Sequence, residues 1–233
     1  MIIHPIKAFS DNYIWCIQEE TEAVVVDPGK AKVVLDYLEE KQLRLAAILL
    51  THKHEDHTGG VREIVARHPE SPVYGPNETK GLANRVVEEG DSFNLLGQTF
   101  QVYETGGHTH GHISFLMGDH LFCGDSLFSA GCGRVFTGDY EAQYETLQKF
   151  KRLDDDINVY PGHEYTEINL RFAYDMQTDN EKISKALEEV REMRAKGHPT
   201  LPTTIGREKE INLFLQVETL EYFIELRNAR DDF

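Results

Sequence analysis

Thr51-His52-Lys53-His54-Glu55-Asp56-His57 says more about the fold and chemistry of this chain than any other stretch of its sequence. Three imidazoles and a carboxylate within six residues suit a borderline divalent metal such as zinc. In an extended backbone the side chains of His52 and His54 point to the same side. The adjacent Asp56 and His57 can then point in a second direction. The histidine pair of a helical zincin, at positions i and i+4, is absent.

The segments on either side predict that this stretch begins where a buried strand ends. Residues 45–50, Leu-Ala-Ala-Ile-Leu-Leu, form a short apolar run that leads directly into it, and Gly59 and Gly60 follow. A strand end holds side chains rigidly while leaving them accessible. The alternative is a polar turn with ordinary surface histidines, and this context argues against it.

Three further strand ends carry residues of the same chemical type. His108 lies between glycines after the strand-like residues 99–104, Asp125 follows the apolar run that ends at Gly124, and His163 ends Val-Tyr-Pro-Gly-His. Each of these alone is most often a surface or hydrogen-bonded residue. Together with the first loop they supply five histidines and two aspartates, in a suitable order for two metal sites that share one carboxylate.

The motif order H-x-H-x-D-H, G-H-T-x-G-H, G-D-S and G-H resembles that of the metallo-β-lactamase fold hydrolases. Five further segments resemble one family of that group, the hydroxyacylglutathione hydrolases (glyoxalase II): residues 9–15, 26–29, 127–134, 161–165 and 226–233. The resemblance runs from Ile3 to the last residue. The metal motif is specific only to the superfamily, whereas the Asp-Asn-Tyr-Ile-Trp start and the Arg-x-x-Arg end narrow it to the family.

The resemblance implies two divalent metal ions per chain. One ion would be held by His52, His54 and His108, the other by Asp56, His57 and His163, and Asp125 would bridge both; the ligand inventory alone permits other divisions. Asp56 and Asp125 would also orient the metal-bridging hydroxide that attacks the substrate. Zinc is the expected metal, although such ligands also accept iron or manganese.

The resemblance also implies the reaction, which is hydrolysis of S-(2-hydroxyacyl)glutathione, chiefly S-lactoylglutathione, in methylglyoxal detoxification. The residues expected to contact the glutathionyl part are Arg134, Phe136, Tyr165, Arg227 and Arg230. Arg134 stands where eukaryotic members have Lys, which keeps the charge, and Phe136 stands where they have Tyr, which removes a hydroxyl. Arg227 and Arg230 share a helix side, although their spacing alone is better explained by a solvated face.

Other polar residues are expected to support the site or to lie on the surface. Asp27 suits two roles equally, orienting a ligand histidine or capping a turn. Ser126 lacks the G-x-S-x-G context of a nucleophile. His112 is expected to support a ligand residue or to be structural, and the expected surface histidines are His4, His68, His110, His120 and His198.

Composition limits the classes of partner. The net charge of −16 opposes binding to nucleic acid, whose phosphates it would repel. Three scattered cysteines do not suggest a disulfide framework, and neither a signal peptide nor an apolar run of about 18 residues is visible. We therefore expect a cytoplasmic monomer that binds a small molecule and no membrane.

The order of predicted elements is that of an α/β protein. Strands are predicted at residues 2–8, 13–18, 23–27, 45–50, 99–104, 113–117, 121–123 and 157–160, with helices between several of them. The resemblance implies an αββα sandwich over residues 1–163, with the metals at one edge of the sheets. Residues 164–233 would form a small helical substrate-binding domain.

Two helices are predicted in this second part of the chain. The first uses Ile183, Leu187 and Val190 as its apolar face, with Asp179 as its cap. The second is the final helix, which uses Val217, Leu220 and Ile224.

Three other functions are open from the sequence. A persulfide dioxygenase with one iron has a similar motif pattern and a Gly-Cys-Gly-Arg stretch, but the helical tail and His112 favour the thioesterase. A nuclease of the same fold is disfavoured by the net charge. A non-catalytic binding module would require loss of the metals, yet all seven expected ligands are present.

Overall fold

The computed structural model describes all 233 residues, which divide into two units. The first unit comprises Met1–Glu104 and Gly111–Gly124, and the second comprises Thr105–His110 and Asp125–Phe233. The mixed α/β class predicted from the sequence is confirmed. The domain boundary between residues 163 and 164 stays a prediction.

The first unit contains a six-stranded sheet in the order β1-β2-β3-β4-β5-β6. Its strands are β1 (Ile2–Ala8), β2 (Asn12–Glu19), β3 (Glu22–Val26), β4 (Arg44–Leu49), β5 (Val73–Gly75) and β6 (Arg85–Val86). The first three strands are antiparallel, and β3 to β6 are parallel. Val25 pairs with Ile48 in the parallel part, and both are fully buried. The sequences of β3 and β4 are nearly continuous apolar runs. This is typical of parallel strands, which are covered on both faces.

Three helices accompany this sheet: α1 (Ala31–Lys41), α2 (Glu55–Thr58) and α3 (Val61–Arg67). Val34 and Leu38 of α1 and Ile64 of α3 belong to the hydrophobic core that they form with the strands. Helical spacing of apolar residues thus buries one face of each longer helix. Helix α2 lies inside the histidine-rich stretch and begins directly after His54.

A second, antiparallel arrangement in the first unit follows the order β10-β9-β8-β7. Its strands are β7 (Ser92–Leu95), β8 (Gln98–Glu104), β9 (Ile113–Met117) and β10 (His120–Gly124). The predicted hairpin at Gly118 is confirmed, since Leu121 pairs with Leu116 across it. Phe93 of β7 stacks on Tyr74 of β5 with ring centroids 4.2 Å apart, which joins the two strand groups.

The second unit is mainly helical, and the helix-rich character predicted for residues 164–233 is confirmed. It contains α4 (Tyr140–Lys151), β11 (Asn158–Pro161), α5 (Thr166–Met176), α6 (Glu181–Ala195), β12 (Thr203–Thr204), α7 (Ile205–Ile211), α8 (Leu213–Gln216) and α9 (Leu220–Asp232). Ile183, Leu187 and Val190 are buried on α6, as their spacing predicts. The predicted cap of α6 is wrong: the side chain of Asn180, not Asp179, accepts hydrogen bonds from the backbone of Lys182 and Ile183. Asparagine caps a helix as well as aspartate does, so sequence alone could not separate the two neighbours.

The last helix begins at Leu220, after Thr219 caps it through the backbone N–H of Tyr222. Arg227 and Arg230 both lie on α9. The prediction that Val217 belongs to this helix is wrong, because Val217 is a buried residue just before it. No helix in the structure combines the length and the apolar composition that crossing a membrane requires.

Candidate active site

The end of β4 in the first unit is organised by Asp27, which follows β3. Its Oδ1 accepts the backbone N–H of Thr51 at 2.8 Å, and its Oδ2 accepts the Thr51 hydroxyl at 2.6 Å. The same Oδ2 lies 3.0 Å from Nδ1 of His57, and the Thr51 hydroxyl lies 2.9 Å from Nδ1 of His52. Asp27 therefore orients His57 directly and His52 through Thr51. Of the two roles open from the sequence, the structure supports this one.

These contacts leave the opposite ring nitrogens of the histidines for other partners. Nε2 of His52 lies 3.1 Å from Nδ1 of His54, and Nε2 of His57 lies 3.5 Å from Oδ2 of Asp56. Asn12, which is buried at the start of β2, donates its amide to Oδ2 of Asp56 at 3.0 Å. Asn12 belongs to the Asp-Asn-Tyr-Ile-Trp segment, but no motif in the sequence predicts its contact with Asp56.

Gly29 explains part of the Val-Asp-Pro-Gly segment that precedes α1. A Cβ atom at this position would lie 1.7 Å from the backbone oxygen of Asp56, so only glycine fits. The close approach packs the turn after β3 against the histidine-rich stretch. The metal-ligand candidates of the first unit thus rest on two neighbouring strand ends.

The second unit brings three other candidates together around one carboxylate. Nε2 of His108 lies 3.4 Å from Oδ2 of Asp125, and Nε2 of His163 lies 3.3 Å from the same oxygen. Nδ1 of His108 lies 2.8 Å from the backbone oxygen of Arg134, which fixes the ring orientation. All three side chains are more than nine-tenths buried.

The donor set in each unit fits a divalent metal ion. Two ligand atoms on a tetrahedral ion with bonds of 2.0–2.1 Å are about 3.3 Å apart. The four donor pairs just described are separated by 3.1–3.5 Å. Imidazole nitrogens whose other nitrogen is hydrogen-bonded to a carboxylate or a carbonyl are typical of metal ligands. The arrangement is therefore suited to divalent metal binding.

A cavity of about 230 Å³ lies in the second unit beside these candidate ligands. Its lining combines cationic, aromatic and polar side chains: Phe128, Cys132, Arg134, Tyr165, Asn169, Arg227, Arg230 and Asp231. Three guanidinium groups face one carboxylate, so the lining carries excess positive charge in a strongly acidic chain. The ring of Tyr165 stacks on that of His163 at 4.7 Å, which connects the cavity to the ligand set.

The arginines of the cavity differ in how firmly they are held. Arg227 is 4% exposed and donates 2.8 Å hydrogen bonds to the backbone oxygen of Cys132 and to the carboxylate of Asp231. Arg230 is half-buried and donates from Nε and Nη2 to Oδ1 of Asn169. Burial, and then the charge of Arg227, lowers the pKa of Arg230. A bound anion would favour its charged form.

Cys132 lines the cavity but is poorly suited to nucleophilic attack. Burial raises the pKa of its thiol, and the neighbouring Arg227 only partly opposes that shift. The thiol form therefore dominates at neutral pH, whereas the thiolate is the reactive species.

Two family models cover nearly the whole chain. The metallo-beta-lactamase superfamily matches residues 9–163, and the hydroxyacylglutathione hydrolase C-terminus matches residues 164–233. A curated hydroxyacylglutathione hydrolase from Glaesserella parasuis serovar 5 (strain SH0165) is 50% identical over 232 residues, which cover 99% of each chain. This chain belongs to the hydroxyacylglutathione hydrolase family. The family identified from the sequence motifs is confirmed.

Solved structures agree with the fold of the metallo-beta-lactamase superfamily. The crystal structure of ETHE1 from Myxococcus xanthus has a TM-score of 0.75 at 29% identity and covers 98% of this chain and 90% of its own. The crystal structure of TTHA1623 in a di-iron-bound form has a TM-score of 0.64 at 26% identity, with coverages of 92% and 100%. The αββα fold with a helical C-terminal region, predicted from the motifs, is therefore confirmed.

The structure places the remaining predicted residues of this hydroxyacylglutathione hydrolase family member as follows. Phe136 is 63% exposed, and its ring lies edge to face with that of His108 at 5.3 Å, outside the cavity lining. His112 is buried and stacks on His52 at 4.8 Å, which agrees with a structural role. The role of Phe136 in binding substrate, and the division of seven ligands between two ions, stay predictions.

Proposed function

We propose that this protein hydrolyses S-(2-hydroxyacyl)glutathione, chiefly S-lactoylglutathione, to glutathione and a 2-hydroxy acid. The observation that carries the proposal is the arginine-lined cavity in a chain that shares half its residues with a curated hydroxyacylglutathione hydrolase. Glutathione carries two carboxylates and one ammonium group. Guanidinium groups pair well with carboxylates, and the carboxylate of Asp231 is suited to the ammonium group.

We further propose two divalent ions per chain, with zinc as the expected metal and iron or manganese as alternatives. Support comes from the spacing of the donor atoms in each unit and from the di-iron-bound form of the TTHA1623 relative. When bound, such ions supply an activated water and polarise the thioester carbonyl. One carboxylate, that of Asp125, would serve both ions.

The protein contributes fixed proton positions on its histidine rings. Asp27 accepts the Nδ1 proton of His57, and the Thr51 hydroxyl accepts that of His52. The backbone oxygen of Arg134 accepts the Nδ1 proton of His108 in the same way. Each Nε2 lone pair therefore points away from these acceptors and remains a donor to a metal.

The cavity would bind the tripeptide and place the thioester beside the ligands. Arg134 and Arg230 would pair with its carboxylates, and Tyr165 would lie against the glutathionyl chain. The leaving group is a thiolate with an ordinary pKa of about 8.5, so it departs without a strong general acid. This agrees with a site whose acidic side chains are committed to metals and arginines.

The compartment and assembly state extend the proposal. None of the three cysteines forms a disulfide, which suits the reducing cytoplasm that we propose. We also propose that the protein acts as a monomer on a small-molecule substrate and that residues 164–233 form its substrate-binding domain. No nucleic-acid partner is expected of so acidic a chain.

Three measurements on the purified protein test the proposed function. Hydrolysis of S-lactoylglutathione is followed by release of free thiol, and lactoyl-N-acetylcysteamine serves as a matched thioester without the tripeptide. We expect a much lower KM for the glutathione thioester. Oxygen uptake with glutathione persulfide, together with one iron per chain, would instead indicate the dioxygenase alternative and refute the proposal.

A further inference from the structure

Residues 128–134, called here the 128–134 loop, begin with a tight turn. The backbone N–H of Phe128 donates to the oxygen of Gly131 at 3.0 Å, and the N–H of Gly131 donates to the oxygen of Phe128 at 3.1 Å. Ala130 within this turn has a φ of 55°, in the left-handed region that alanine rarely adopts. A turn of this kind persists only where surrounding contacts hold it.

A buried carboxylate on α7 supplies such contacts. Glu208 is fully buried, and its Oε1 accepts the hydroxyls of Ser129 and Thr203, each at 2.8 Å. Its Oε2 accepts the backbone N–H of Ala130 at 2.7 Å and the amide of Asn212 at 3.0 Å. Four donors around one carboxylate satisfy it in a site without solvent.

Asn212, one helical turn after Glu208, completes the support of the turn. Its amide also donates to the backbone oxygens of Phe128 at 3.1 Å and Gly131 at 3.0 Å. Glu208 and Asn212 together therefore contact the N–H of Ala130, the side chain of Ser129 and two carbonyl groups of the turn. We call this pair the Glu208–Asn212 clamp.

The 128–134 loop contacts both the arginine-lined cavity and His108. Phe128, Cys132 and Arg134 line the arginine-rich cavity. The backbone oxygen of Arg134 also accepts the hydrogen bond from His108. Neither Glu208 nor Asn212 lines the cavity, so any effect of the clamp on substrate must pass through the loop.

We propose that Glu208 and Asn212 are positioning residues that set the 128–134 loop and thereby the binding of the glutathionyl group. The proposal rests on the proposed function, because it assigns the cavity to glutathione. A role confined to stability would be the simpler explanation of a buried polar pair. The two differ in their consequences, since only positioning changes KM for the glutathione thioester in protein that is fully folded.

The decisive variants are Glu208→Ala and Glu208→Gln. Glutamine can keep all four contacts, because its oxygen accepts from Ala130 N–H and Asn212 while its NH₂ donates to the two hydroxyls, which can also accept. Alanine removes all four. Glu210→Ala, an exposed carboxylate on the same helix, controls for loss of an acidic residue. Leu187→Ala, a core change in α6, controls for loss of stability alone.

We expect Glu208→Ala to raise KM for S-lactoylglutathione by about tenfold or more, the change that about 1.4 kcal/mol of lost binding produces. KM for lactoyl-N-acetylcysteamine should stay within about twofold, and Glu208→Gln and both controls should keep the wild-type ratio of the two KM values. Hydrogen exchange at the Ala130 amide should accelerate in Glu208→Ala only. If that variant does not fold, Ser129→Ala, which removes one contact, replaces it with a smaller change in the same direction.

Wild-type KM and slow Ala130 exchange in folded Glu208→Ala would overturn the positioning role. A KM rise of the same size in Leu187→Ala would also overturn it, because stability alone would then explain the effect. Failure of the wild-type protein to hydrolyse S-lactoylglutathione would refute the proposed function instead. In that case, Ala130 exchange still decides whether the clamp holds the loop.

Discussion

Asp27→Asn should weaken metal binding through a change in the proton position on His57. The asparagine oxygen can still accept the backbone N–H of Thr51, so the side chain keeps its place. Its NH₂ then replaces Oδ2, which lies 3.0 Å from Nδ1 of His57. Two donors cannot face each other at that distance, so the ring must carry its proton on Nε2. The Nε2 lone pair that a metal requires is lost.

The expected size of the effect follows from two independent magnitudes. A hydrogen bond to a charged group is worth about 1.5–3 kcal/mol. Loss of a hydrogen-bonded partner behind a metal-binding histidine typically costs about 10–100-fold in metal affinity. This range corresponds to about 1.4–2.7 kcal/mol, so the two agree. The effect should be larger on the ion that His57 holds than on the ion that His52 holds, because Asp27 reaches His52 only through the Thr51 hydroxyl.

Competition with a chelator of known zinc affinity, followed by elemental analysis, measures both constants on metal-depleted protein. Asp36→Asn is the matched control, because Asp36 is an exposed carboxylate on α1 paired only with Lys32. Equal affinities for both ions in Asp27→Asn and wild type would refute the tautomer argument. Weakening of both ions by the same factor would show that Asp27 acts on the whole loop and not on one ring.

Three other changes have defined outcomes. Asp125→Ala should leave less than one metal per chain by elemental analysis, whereas His163→Ala should leave about one; equal losses would contradict a bridging Asp125. Arg227→Ala should lower the free energy of unfolding by about 1–3 kcal/mol in urea titrations, because it leaves the backbone oxygen of Cys132 without its hydrogen-bond donor, while Arg230→Ala should mainly raise KM. Burial raises the pKa of Glu208, so the stability tied to its neutral form is full below the unfolded value of about 4.3 and is lost as pH rises. Glu208→Gln should therefore increase the unfolding free energy at pH 7 and gain little near pH 4, and parallel pH curves would contradict this.

The sequence predicted elements well where local signals were strong. Residues 2–8 and 113–117 were predicted as strands with the observed bounds of β1 and β9. Both contain β-branched residues and have a clear turn on at least one side. Short elements such as β6 and β12, with two residues each, were missed because so few residues carry no periodicity.

The residues of the site also differ in whether their roles could be predicted from the sequence. Histidines in metal motifs are conspicuous because their spacing is chemically unusual. The role of Glu208 could not be predicted, because the charged run Arg-Glu-Lys-Glu at residues 207–210 is typical of a solvated helix face. In the structure Glu208 is fully buried. Its four partners come from residues 129, 130, 203 and 212, and only the folded chain brings them together.

Arg134 shows how the loop can vary its chemistry without disturbing His108, a proposed metal ligand. Its backbone oxygen holds His108, whereas its side chain lines the cavity and pairs with Asp231. The contact with His108 therefore constrains only the backbone at position 134. Either arginine or lysine could supply the positive charge there. Gly133 fixes that path, because a Cβ there would lie 2.0 Å from the backbone oxygen of Asp125. The substrate contact proposed for position 134 could thus change independently of the proposed ligand set, while position 133 cannot change without moving Asp125 or the loop.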